Sequence, residues 1–271
     1  MRDTTRSNIK GFLEGFLDAL VEDFESADLD PRELRPYEAH STNGRRKPFH
    51  QALLPHGLLT ITEFERSLST RLGSTYEEVA RLLALEHHGD AARQYSVEGA
   101  VSNEQIRNIR DAVQFIEKRG AREGFSFPEL VDNVLSADGR QDQELQVTVD
   151  LRIVTRSGSE ALFEIKSPKP NKGQCLEATQ RLLRIHAMRG ASPPDVCTFY
   201  GMAYNPWGET LAEYRHSFSM SYLDLDNEVL LEKDFWNFVG GPGAYQDVIE
   251  LYREVGREKG PDMIDRLALG Y

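Results

Sequence analysis

Ile9, Phe12, Leu13, Phe16, Leu17, Leu20, Val21 and Phe24 recur three and four positions apart, which predicts an amphipathic helix over residues 9–24. Residues 27–57, rich in Pro, Gly, Asn and His, read as an irregular arm. Helical spacing returns over residues 64–85, with Tyr76, Val79, Ala80 and Leu83 forming a stripe and Ser74 marking a start three residues before Glu77. Ile106, Ile109, Val113 and Ile116 place another helix at residues 103–118. From Glu144 the period changes to two: Val147, Val149, Leu151 and Ile153 alternate, a turn containing Ser157, Gly158 and Ser159 follows, and residues 161–167 resume as a strand. Pro168 and Pro170 stop that strand. Residues 173–188 are helical in composition, 196–204 read as a strand, 216–225 as a weaker strand, and 244–259 as a closing helix. Helices followed by β, β, α, β, β, α imply an α/β protein with a mixed central sheet flanked by helices. Residues 1–140 form its mainly helical N-terminal half and residues 141–271 its core, expected to make one intimate unit.

The 271 residues include 44 Asp and Glu against 32 Lys and Arg, a net charge of −12. That balance argues against a polyanion as partner until its distribution is considered. Residues 165–190 hold Lys166, Lys169, Lys172, Arg181, Arg184 and Arg189 against Glu177 alone, and residues 39–62 hold Arg45, Arg46 and Lys47 with no acid. An acidic body thus carries two basic segments where a polyanion can sit. No window resembles a transmembrane span. The first helix has an acidic polar face (Glu14, Asp18, Glu22, Asp23), which disfavours a targeting presequence or a lipid-surface anchor. Cys175 and Cys197 make no disulfide framework, read as buried inert thiols, and suit a reducing cytoplasm.

The candidate chemistry lies in the hairpin. Glu164 and Lys166 are two apart on a strand and share a face, with Phe163 and Ile165 turned to the core. The preceding strand folds back to bring Asp150 beside them, placing two carboxylates and an ammonium at one edge of the sheet. Hard carboxylate oxygens suit Mg²⁺ with several waters retained, and such an ion polarises a phosphodiester and acidifies the attacking water. Glu-x-Lys alone reads better as an exposed strand pair, a common feature of half-buried sheets. An Asp on the neighbouring apolar strand and a following Pro/Lys-rich loop and basic helix favour the metal site.

Asp150 with Glu164-Ile165-Lys166 resembles the PD-(D/E)XK nuclease signature, with Val149 where a proline usually precedes the aspartate. FEIKSPKPNKGQ (163–174), KPFHQALLP (47–55), FERSLSTRLGSTYEEVARLLA (64–84) and YGMAYNPWGE (200–209) resemble the TdeIII-type, also MjaII-like, type II restriction endonucleases, a likeness spanning residues 47–209. The resemblance implies Asp150 and Glu164 as metal ligands and Lys166 as the catalytic lysine. It also implies Glu77 as a helix-borne acid completing the site, with Glu78 as a substitute. The competing reading of Glu77 is a capping box begun by Ser74. The implied activity is Mg²⁺-dependent cleavage of double-stranded DNA at a short palindrome, GGNCC by this likeness, by a homodimer partnered in its system by a cognate DNA methyltransferase. A repair nuclease, a junction resolvase or a non-catalytic DNA-binding module of the same fold are the alternatives.

The loop after the second strand places Lys169, Asn171, Lys172 and Gln174 to meet phosphates or base edges. Arg45, Arg46 and Lys47 form a second candidate arm on DNA, though an exposed charged loop accounts for that trio taken alone. His87 and His88 lack ligand partners at metal spacing, residues 240–243 lack the GK[ST] of a phosphate loop, and residues 224–228 read as a turn.

Overall fold

Ser102, Ser126 and Asn171 cap the N-termini of three of the helices with their side chains, and a five-stranded sheet organises the chain around them. The computed structural model describes residues 1–25, 30–35, 40, 46–122, 124–190 and 195–267. The elements are α1 (Asp3–Glu22), α2 (Pro48–Leu53), α3 (His56–His87), β1 (Asp90–Ser102), α4 (Asn103–Arg119), α5 (Phe127–Leu135), β2 (Gln141–Val154), β3 (Glu160–Lys166), α6 (Lys172–Arg189), β4 (Val196–Met202), α7 (Ser217–Tyr222), β5 (Val229–Leu231), α8 (Lys233–Gly240) and α9 (Ala244–Arg266). No described helix is long and apolar enough to cross a membrane.

The sheet runs in the order β1-β2-β3-β4-β5. β1 and β2 pair antiparallel from Asp90↔Val154 to Ser102↔Gln141, and β2 and β3 antiparallel from Val154↔Glu160 to Leu151↔Phe163. β3 pairs parallel with β4, and β4 with β5. Parallel neighbours need a crossover, and α6 supplies it between β3 and β4. β3 is the middle strand, buried at every residue except Lys166 at its end. On one side Val97, Val101, Val147, Val149, Leu162 and Tyr200 meet Ile109 and Ile116 of α4 and Leu182 and Leu183 of α6 in a continuous apolar core.

The mixed sheet and the hairpin follow the sequence-based expectation, with four departures besides the helices α2, α5 and α8, where no element was expected. β1 lies within residues 1–140 and pairs along β2, so the sheet takes a strand from the mainly helical half. Residues 216–225 are not a strand. The alternation of His216, Phe218, Met220 and Tyr222 imitates one, but His216 Nδ1 accepts the Ser219 N–H (3.4 Å) and caps the short helix α7, and the true strand, β5, follows it. The third departure is that α3 begins at His56 and runs through residue 74 without a break. The fourth is that Cys175 is buried whereas Cys197 is exposed.

The chain divides into two compact units, Met1–Thr5 with Tyr76–Asp247 and Arg6–Thr75 with Val248–Tyr271. The first holds the sheet. In the second, the polar faces of α1 and α9 are tied by ion pairs: Lys10 to Glu254 (2.9 Å) and Glu258 (2.7 Å), and Lys259 to Asp18 (2.7 Å).

Candidate active site

Asp150 is the first residue of β2 beyond the β2–β3 ladder, which ends at Leu151↔Phe163. Its side chain continues what the backbone stops, because Oδ2 accepts the Ile165 N–H at 2.7 Å. That bond satisfies a strand amide and carries the carboxylate to the end of β3. Lys166 Nζ lies 2.8 Å from Glu164 Oε1 and 3.5 Å from Asp150 Oδ2, so both carboxylates converge on one cation position. The edge of the sheet at which the trio stands is the C-terminal end of its middle strand.

Glu164 is nearly enclosed, its side chain 4% exposed against 39% for Lys166. Its second oxygen accepts Arg181 Nη1 of α6 at 3.1 Å, and that same nitrogen donates to the Thr148 carbonyl at 3.1 Å. Burial, reinforced by the Asp150 charge, holds the Glu164 carboxyl above the usual carboxylate range despite Lys166 and Arg181. Burial alone would lower Lys166, but its bond to Glu164 and the two carboxylate charges outweigh that and raise it. Lys166 is therefore an ammonium at neutral pH, a point charge and donor rather than a base. Tyr200, paired with Glu164 across the β3–β4 ladder, is wholly buried, and its hydroxyl has no hydrogen-bond partner among the described residues.

Ser74 is interior to α3 and its hydroxyl donates to the Arg71 carbonyl (2.7 Å), so it caps nothing and the capping-box reading of Glu77 falls. Instead Glu77 Oε2 accepts Arg93 Nη2 at 2.9 Å and Gln94 Nε2 at 3.1 Å. The Gln94 amide also reaches Asp150 Oδ1 at 3.4 Å, linking Glu77 to the trio through one side chain. Glu78 is taken up by Arg81 and Arg93, which hold its carboxyl below the usual range. Among the described residues no three His, Cys, Asp or Glu side chains are grouped to hold one ion.

The loop residues are partly occupied by local structure. Asn171 caps α6: its Oδ1 accepts the Gln174 N–H (2.9 Å) while Gln174 Oε1 accepts the Asn171 N–H (2.8 Å), leaving their amide NH₂ groups. Lys169 lies over the Trp207 ring (5.3 Å), and Lys172 pairs with Glu117 (3.1 Å). Arg46 and Lys47 enter α2 in the other unit, both half-buried, and Arg45 lies outside the described residues. Arg93, Gln94 and Tyr200 went unnoticed as site residues in the sequence. β1 carried too weak an alternation to be seen, and Tyr200 was visible only as a strand residue opening the 200–209 likeness, with nothing to place it beside Glu164.

Two carboxylates and an ammonium thus meet at the end of the middle strand of a mixed sheet, with the arginine-bearing helix α6 behind them, and the comparisons with known proteins give the class: a nuclease. Residues 2–256 match the family described as "Type II restriction endonuclease, HinfI". Three restriction enzymes of Herpetosiphon aurantiacus are similar over nearly their whole length. HgiEI is 39% identical over 268 residues, and HgiCII 38% over 269, each match covering 97% of both chains. HgiBI is 38% identical over 268 residues with the same coverage. The chain belongs to the HinfI family of type II restriction endonucleases. It is a site-specific deoxyribonuclease that binds DNA, in a family that is typically metal-dependent. The family model that matches is HinfI, and the TdeIII-type likeness with its GGNCC site is a finer reading than that match carries.

Proposed function

We propose that Asp150, Glu164 and Lys166 are the catalytic group of a PD-(D/E)XK-type site, with Asp150 and Glu164 holding Mg²⁺. The observation that supports this most directly is the convergence of both carboxylates on one cation position at the end of β3. Their donors fit the ion: Mg²⁺ takes one or two carboxylates and keeps several waters, so a third protein acid is not required. When bound, the ion supplies a polarised phosphodiester and an acidified water. Lys166 donates to the attacking oxygen's surroundings and neutralises charge developing on the phosphorane. Arg181 holds Glu164 in its rotamer, and the Tyr200 hydroxyl is a donor awaiting a partner beside Glu164. Glu77 belongs to the site's outer layer, acting on Asp150 through Gln94.

In the same reading Lys169 and Lys172 meet phosphates from the loop after β3, the free NH₂ groups of Asn171 and Gln174 are available to bases, and Arg45, Arg46 and Lys47 form a second contact. A palindromic site cut in both strands calls for a homodimer, and a cytoplasmic enzyme of this class for a methyltransferase that protects the host site. The test is a plasmid of known sequence incubated with the protein in Mg²⁺, in EDTA, and with Lys166→Ala in Mg²⁺. Discrete fragments only with wild type and Mg²⁺ are expected, and Lys166→Ala slower by about 10²–10⁴. Undiminished cutting by Lys166→Ala would place the chemistry elsewhere.

A further inference from the structure

β1 and β2 pair at Arg93↔Leu151 and at Tyr95↔Val149, which leaves Gln94 opposite Asp150 with no pairing between them. At that point the backbone of Gln94 turns left-handed, with φ +47°, in the middle of a strand. A side chain with a Cβ disfavours that conformation, and where it persists in a structure it clusters at functional sites. Its effect here is specific. Neighbouring residues of an extended strand point to opposite faces, yet Arg93 and Gln94 both reach Glu77 Oε2, at 2.9 and 3.1 Å. The left-handed turn is what brings them to the same side.

We infer that Gln94 is a positioning residue of the nuclease site, its carboxamide anchored on Glu77 and holding the Asp150 carboxylate in the orientation that receives the cation. The inference rests on the reading of Asp150 as a metal ligand. A carboxamide nitrogen carries two hydrogens, one for each carboxylate, at 3.1 Å to Glu77 and 3.4 Å to Asp150 Oδ1. The other Asp150 oxygen is fixed by the Ile165 N–H at 2.7 Å. With both oxygens held, rotation about the Cβ–Cγ bond is restrained and the carboxylate plane is set relative to Glu164. Being neutral, the amide orients Asp150 without cancelling the charge that attracts a cation, whereas Arg93, which also bonds Glu77, would cancel it. Glu77 is the foundation on which the amide is fixed, which gives that acid a place outside the metal's ligands.

The test uses the full chain with Gln94→Gly and Gln94→Asn, beside Lys166→Ala. Glycine removes the carboxamide but accepts the left-handed backbone freely, so the Gln94→Gly protein should melt in EDTA no lower than wild type. It should bind a DNA duplex carrying the site in EDTA with unchanged affinity. Its kcat should fall about tenfold at unchanged KM, the effect of losing one hydrogen bond that acts in the transition state. The rise in Tm produced by added MgCl₂ should shrink, because Asp150 is no longer pre-set. Gln94→Asn, which tolerates the same backbone and keeps the amide one methylene short, should recover part of both losses. Wild-type kcat and a wild-type Mg²⁺ shift in Gln94→Gly overturn the inference. So does a fall in kcat matched by lower EDTA stability or weaker DNA binding, which marks a structural role only. Lys166→Ala separates the two levels: if it cuts like wild type the assignment of Asp150, Glu164 and Lys166 as the catalytic group fails, and if it is inactive while Gln94→Gly is unimpaired only the positioning role fails.

Discussion

Glu164 and Glu228 are both buried carboxylates, and their neighbours set apart the one proposed for the site from the one enclosed in the core. Glu228 is fully enclosed, bonded to Arg122 and to the Thr179 hydroxyl (3.2 Å), while Arg122 Nη2 donates to the same hydroxyl at 2.6 Å. Every partner is interior, so the set is closed to solvent and to DNA. Glu164 leans instead on Lys166, which opens outward. Breaking a closed ion pair from one side leaves an uncompensated charge, a cost of about 3–5 kcal/mol. Arg122→Met should therefore lower the free energy of urea unfolding by about that much. Adding Glu228→Leu should restore most of it, since the pair replaced as a unit is close to neutral. A double variant as unstable as the single one would mean that Arg122 acts by packing on Phe127 and not through charge.

At the scale of elements, α6 carries much of the fold: it bridges β3 to β4, bears Arg181 toward Glu164, and buries His186 against the sheet. The His186 ring meets the Thr198 hydroxyl at 3.0 Å, and burial holds its pKa down at about 4 from 6.5. The native state thus binds fewer protons than the unfolded chain between those values. The resulting stability is present above pH 6.5 and lost as pH falls through 4, by about 3 kcal/mol. Unfolding of wild type and His186→Gln followed across that window should show wild type losing this much relative to the variant. Parallel curves would show that His186 is protonated in the folded protein at no cost. β1 approaches α6 so closely that a Cβ on Gly99 would lie 2.9 Å from the Met188 carbonyl oxygen, and Gly99→Ala should cost about 1–3 kcal/mol in the same assay.

These contacts also explain what was legible in the sequence. The hairpin could be read because Val147, Val149, Leu151 and Ile153 alternate cleanly, and with it the common face of Glu164 and Lys166, which depends only on strand period, whereas the bond from the Ile165 N–H that carries Asp150 to them is not a matter of period. β1 could not, because Gly99, Arg93 and a left-handed Gln94 interrupt its apolar face, and its partner lies about fifty residues downstream. Ser74 with Glu77 has the spacing of a cap, but the chain before it is already helical, so tertiary packing and not local chemistry fixes where α3 begins.

For the whole molecule, a net charge of −12 must be reconciled with DNA as the ligand. Negative charge away from the bound face weakens loose association everywhere and leaves the affinity to a few cations. Each lysine that meets a phosphate adds about 0.9 to the slope of log K against log salt. Measured in EDTA, where cleavage is absent, Lys169→Ala should lower that slope by about this increment without changing the sequence that is cut in Mg²⁺. An unchanged slope would return Lys169 to its contact with Trp207 alone. One chain holds one Asp150–Glu164–Lys166 set, whereas a double-strand break needs two in-line attacks on strands of opposite polarity. A homodimer meets that need by giving each strand one copy. If so, wild type mixed with excess Lys166→Ala and allowed to exchange subunits should produce mostly nicked plasmid at the recognition site, because each mixed dimer retains a single working set. Linear product that merely falls in proportion to dilution, with no nicked species, would instead mean that one copy makes both cuts by turning over between strands, and the twofold arrangement would have to be abandoned.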